Sequence, residues 1–204
     1  MLIDRVPWLN VLAIWFVAWQ TTIFMRWSGG GDIQLGETSV SLADGTEVAW
    51  ADWEGNRWFM FEPISEHTFH TELLNASGES IGINFVLACT ALQSMIIFVG
   101  AVVALKAPWK RRTRALLVTI PTIHILNIFR NAGIIWLHGA YPGWEWLGMD
   151  MFHFAHAYLA KFVSLGAMFL MALILFELLP VMHHHVLRLM EPLLGPKKKS
   201  RVSS

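Results

Sequence analysis

Four stretches of this chain are too apolar over too great a length to be left in water: Pro7 to Met25, Gly82 to Leu105, Ala115 to Leu137 and Met151 to Leu179. Crossing a hydrocarbon core of about 30 Å takes about 20 mostly apolar helical residues. Within lipid the backbone must satisfy its own hydrogen bonds, which favours helices. Each stretch is therefore expected to be a transmembrane helix, and residues 1–204 a single all-α integral membrane domain, a four-helix bundle. Composition agrees, with 55% hydrophobic residues, eleven Trp and a mean hydropathy of +0.48. Met1 to Arg5 leads into the first stretch with no small-residue cleavage site behind it, so that stretch is expected to remain as a helix.

The formal net charge is zero, but the charges are unevenly placed. Lys106 to Arg114 holds five basic residues and no acidic one, and the tail over 180–204 adds Arg188, Lys197, Lys198, Lys199 and Arg201. Lys and Arg gather on the cytoplasmic side, so both termini are expected inside. Residues 26–81 carry ten acidic residues and, among basic ones, only Arg26 and Arg57, which marks them as an extracytoplasmic loop. Within it, Ile33 to Leu42 and Thr46 to Trp53 alternate around Asp44-Gly45 and predict a β-hairpin. The cluster Trp50, Trp53, Trp58, Phe59 and Phe61 reads either as a belt at the headgroups or as a lid over the helix ends. There is no internal repeat, Walker loop, GxGxxG or HExxH, and charge and class give no reason to expect nucleic acid.

Cys89 is the only cysteine, which excludes an intrachain disulfide, a CxxC pair and a cysteine-based zinc site. It is either an inert small hydrophobe or a nucleophile. Arg130 decides between these, because a guanidinium inside a membrane helix costs about 2.5 to 3.5 kcal/mol and marks a functional or paired site. No acid on its own helix neutralises it. Helical rise puts Cys89 and Arg130 each about 10 Å below the outer boundary and His156 about 8 Å below it. A thiolate, or the oxyanion formed when it attacks a carbonyl, is the anion that such an arginine wants.

His153 and His156 share a face of the last helix, and either could serve as general base and acid; His156 is a turn deeper and is preferred, while His153 lies near the surface beside Asp150. Asn127 precedes Arg130 by three positions and can orient its guanidinium or bridge helices. Gln93, one turn beyond Cys89, and Lys161, deeper than His156, are supporting or alternative groups. His124 is about 20 Å from the outer end by the helical rise, too deep to join them. His183 to His185 resemble a metal site only in composition, and neither metal nor cofactor is expected.

Three motifs in order, ACTALQS around Cys89, NIFRN with Asn127 and Arg130, and FAHAYLAKF around His156, resemble the exosortase and archaeosortase group over about Gly82 to Leu170. Some archaeosortases carry Arg at the third position in place of His. The resemblance implies a cysteine peptidase or transpeptidase of the cell membrane with its active site on the extracytoplasmic side. Its substrates would be exported proteins anchored by a C-terminal tripartite signal: a PGF-type motif, a transmembrane helix and a basic tail. Removal of that tail with transfer of the product to a membrane lipid is the implied reaction, with Cys89 as nucleophile, Arg130 as anion stabiliser and His156 as acid and base.

Two other classes compete. A four-helix b-type haem protein needs opposed histidines at one depth, and His124 against His156 misses this by about a turn and a half of helical rise. A non-enzymatic assembly partner would tolerate replacement of Cys89 and Arg130.

Overall fold

The computed structural model describes residues 5–61 and 67–178; the basic tail and His183 to His185 lie outside these. Among the described residues three helices are long and apolar enough to cross a membrane: α1 (Pro7–Ser28), α3 (Trp109–Ala140) and α4 (Met151–Leu178). A shorter apolar helix, α2 (Leu92–Ala104), precedes α3.

Proline at its first helical position starts α1, where the missing N–H is one the helix would leave unpaired. Gly29 ends it in the left-handed conformation at φ 74°, and the N–H of Gly30 closes the cap on the Met25 carbonyl at 2.9 Å. One face of α1 presents Trp8, Trp15, Phe16, Trp19 and Ile23 outward, while Ile14, Val17, Ala18 and Met25 are buried.

That buried face packs on a four-stranded antiparallel sheet, in the order β2-β1-β3-β4: β1 (Gln34–Leu42), β2 (Glu47–Ala49), β3 (His67–Leu74) and β4 (Ser80–Val86). β1 and β2 flank Asp44-Gly45, with the Asp44 carboxylate accepting from the Thr46 N–H at 2.9 Å. Val40, Phe69, Leu73, Ile83 and Phe85 form the sheet side of the core, joined by Ala132 and Ile135 of α3. The loop after β2 is tied to the start of α1: the Trp8 N–H bonds the Arg57 carbonyl and the Met60 N–H bonds the Arg5 carbonyl. The aromatic cluster divides accordingly. Trp53 is buried against Trp50 and Phe69, whereas Trp58 and Phe61 are exposed.

The second apolar stretch is corrected by the structure. Gly82 to Leu105 is not one helix: it begins inside β4, turns through a 3₁₀ segment at Leu87–Thr90 and becomes α2 only at Leu92. The 13 residues of α2 span about 20 Å, short of the hydrocarbon thickness, so the second stretch is not one continuous spanning helix but a strand end, a turn and this shorter helix. The reason is local. Ile81, Ile83 and Phe85 alternate with Gly82 and Asn84, a period of two that suits a half-buried strand, and Gly82 sits at φ 73°. The basic connection is also shorter than expected, since Lys110 to Arg114 already belong to α3 and the Arg112 guanidinium bonds the Leu105 carbonyl at the end of α2.

α2, α3 and α4 share a second core of Phe98, Val102, Ala115, Ile123, Met171 and Leu175. α4 opens at Asp150 and contains a π-helical turn at Ala155–Leu159. A two-stranded ribbon, β5 (Glu145–Trp146) with β6 (Met149–Asp150), links it to α3.

Candidate active site

Cys89 occupies the strand-to-helix turn between β4 and α2. Val86 is extended, Leu87–Thr90 form the 3₁₀ turn, and Ala91 adopts φ 55°, a left-handed conformation unusual for a residue with a Cβ. Thr90 holds the turn by donating its hydroxyl to the Leu87 carbonyl at 2.7 Å and accepting the Leu92 N–H at 3.3 Å. The thiol is half-buried beside the sheet core.

α3 grips this turn from the side. Asn127 and Asn131, one helical turn apart and both buried, each donate a side-chain amide to the Cys89 carbonyl oxygen, at 2.7 and 2.9 Å. Arg130 lies between them in sequence and half-buried, its Nη1 donating to Asn131 Oδ1 at 3.4 Å. Its Nε is buried without a hydrogen-bond partner among the described residues. Burial pushes the Cys89 thiol above its ordinary value, while the Val86 backbone and the Arg130 charge pull it down. The site therefore holds an incompletely paired cation beside a thiol, a setting in which an anion gains more than a neutral group does.

His156 sits on the π-helical turn of α4, half-buried, its ring stacked on Phe152 at 5.8 Å and 18°. π-turns inside α-helices are frequent at functional sites because the extra residue re-aims side chains. The His156 ring makes no hydrogen bond among the described residues.

The other expected residues divide. His153 is engaged with Asp150, whose Oδ1 accepts the His153 N–H at 2.7 Å and lies 2.9 Å from its Nδ1; both side chains are largely exposed. These bonds, the backbone one first, hold the Asp150 carboxyl below the usual carboxylate range. Gln93 and Lys161 are exposed and make no side-chain hydrogen bond among the described residues. His124 is committed to Gln20 Oε1 at 2.5 Å and stacks on Phe16 of α1, away from the other histidines.

Two residues went unremarked in the sequence. Asn131 was signalled only by its place four after Asn127 and next to Arg130. His138 lies 3.2 Å from the Ile81 carbonyl through Nε2 and meets Phe152 edge-on, joining the end of α3 to β4 and to the start of α4. No local pattern pointed to its partner, 57 residues away in the chain.

Below the turn, a cavity of about 80 Å³ runs between α2, α3 and α4. Ala91, Ser94, Asn127, Arg130, Ser164 and Ala167 line part of it, and apolar side chains complete it. Arg130 is the one charged group on its wall.

Comparison with known proteins meets this site. Archaeosortase A of Haloferax volcanii is 38% identical over 65 residues, which is 32% of this chain and 22% of that protein. The chain thus covers well under two thirds of this relative. No solved structure matches. The model of the transmembrane exosortases matches residues 70–178, just over half of the chain and all of the elements that carry Cys89, Arg130 and His156, and with its apolar helices this makes the chain a multi-pass membrane protein that belongs to the transmembrane exosortase family.

Proposed function

We propose that this protein is a membrane cysteine transpeptidase that cleaves C-terminal sorting signals of exported proteins, acting on the extracytoplasmic side of the cell membrane. The family supports the reaction class. The carrying observation is that one stretch of α3 both holds the Cys89 turn and presents Arg130 to it.

In this reading the Cys89 thiolate attacks the scissile carbonyl, forming a C–S bond and an oxyanion whose charge Arg130 offsets. The tetrahedral centre collapses, the C–N bond breaks, and His156 gives a proton to the departing amine. An acceptor amine, or water, then loses a proton to His156 as it attacks the thioester and releases Cys89. A membrane lipid is the proposed acceptor and a PGF-type tripartite tail the proposed substrate. The cavity beside Arg130 supports entry from the lipid, since its walls come from helices of the bundle and are largely apolar. The acidic segment 26–81 and the basic run 106–114 support the outward orientation.

The test is co-expression with a substrate carrying a C-terminal motif, helix and basic tail, followed by mass spectrometry of its new C-terminus. Wild type should yield a trimmed product, and Cys89→Ala and Arg130→Ala should each leave the precursor intact while remaining folded. Normal trimming by Cys89→Ala would sink the enzyme reading and leave the assembly-partner class.

A further inference from the structure

Cys89 is held in an unusual way for a residue at the start of a helix. Its turn is 3₁₀, the next residue but one is left-handed, and α2 begins only after that. The orientation of Cys89 is therefore not dictated by continuous helical hydrogen bonding. It depends on α3, through two amide donors on one carbonyl oxygen, which together fill both of its lone pairs.

The two donors are not equivalent. Asn127 contacts the turn alone, whereas Asn131 uses both ends of its carboxamide: Nδ2 donates to the Cys89 carbonyl at 2.9 Å, and Oδ1 accepts from Arg130 Nη1 at 3.4 Å. Asn131 itself is 4% exposed, while its partners Arg130 and Cys89 are half-buried. An amide is the shortest neutral group that donates at one end and accepts at the other; leucine has the volume without either function.

We propose that Asn131 is a positioning residue that sets the separation of the Cys89 thiol from the Arg130 guanidinium, by binding the main chain of the first and the side chain of the second. The roles of those two groups rest on the function proposed above, but the coupling itself is read without any substrate. Losing Asn131 frees the guanidinium to turn away and lets the turn relax, so the thiolate loses its nearest positive charge.

Because Cys89 is the only cysteine, alkylation of the full chain by iodoacetamide in detergent reports one thiol. Rates are measured from pH 7 to 11 for wild type, Asn131→Ala, Asn131→Leu and Asn127→Leu. At neutral pH the Asn131 variants should react about tenfold more slowly, the effect of roughly one pKa unit on thiolate fraction. The ratio should narrow towards the alkaline end, where the thiol, raised by burial, begins to ionise in every variant. Asn127→Leu, which leaves the Arg130 link in place, should show a clearly smaller shift.

Unchanged profiles in the Asn131 variants would overturn the proposal. So would a rate change equal at every pH, which signals altered access, or a shift in Asn127→Leu as large as that in the Asn131 variants, which signals the turn alone. Either Asn131 variant suffices if the other fails to fold. Failure of wild type to trim a substrate would count against the proposed function and leave this thiol readout standing.

Discussion

The side-chain amide of Asn127 donates to the main-chain carbonyl of Cys89 at 2.7 Å, across 38 residues of sequence. Of the two roles that sequence spacing offers this asparagine, orienting the arginine beside it or bridging to a neighbouring element, this bond is of the second kind. It ties the middle of a spanning helix to the strand-to-helix turn on which Cys89 sits, and Asn131 repeats the contact one turn along.

Removing Asn127 leaves the carbonyl with a single donor in a buried place. Asn127→Ala should destabilise the fold by about 0.5 to 1.5 kcal/mol, the net worth of one hydrogen bond, since Asn131 still satisfies the carbonyl. Thermal unfolding in detergent measures this, and a melting temperature equal to that of wild type would show that the bond carries no net stability.

Ala91 supplies a second expectation, from backbone alone. At φ 55° its Cβ crowds the following carbonyl, a cost of roughly 1 to 2 kcal/mol that glycine does not bear. Ala91→Gly should therefore be neutral or stabilising by up to about 1 kcal/mol, and Ala91→Val destabilising. The reverse order in thermal unfolding would mean that the turn does not hold this conformation in solution.

Long helices were legible because their evidence is redundant. Twenty or more apolar residues identify α1, α3 and α4 regardless of any single position, whereas Cys89, expected inside the second helix, lies on the turn before it. The stretch from Gly82 was misread because its average hydropathy concealed the alternation of Ile81, Ile83 and Phe85, which buries one side of β4. Averaging cannot separate a buried strand from a buried helix over so short a run. Asn131 and His138 escaped for a different reason: their partners, the Cys89 and Ile81 carbonyls, are main-chain atoms, which carry no side-chain signature in a sequence.

Asp150 gives a pH dependence with a definite sign. Its carboxylate caps α4 by accepting from the His153 N–H, and this lowers its folded value relative to the unfolded one. The stabilising contribution is complete above the unfolded carboxylate value of about 3.9 and is lost as pH falls through the lower folded value. The melting temperature of wild type should thus fall more steeply between pH 5 and 2 than that of Asp150→Asn, both values being about those that bracket carboxylate titration. Parallel curves would show that the cap does not form in solution.

His153 and His156, three apart, make contrasting predictions because only one has its ring engaged by a carboxylate. His153 Nδ1 is beside Asp150 at the mouth of α4, while the His156 ring rests on Phe152. If His156 is the acid and base, His156→Ala should slow substrate trimming by about 10² to 10⁴-fold, the usual yield of positioned proton transfer. His153→Ala should act chiefly through the start of α4, lowering the melting temperature more than the rate. Single-turnover kinetics with a co-purified substrate separates the two, and a larger rate loss in His153→Ala would move the proton-transfer role to that residue.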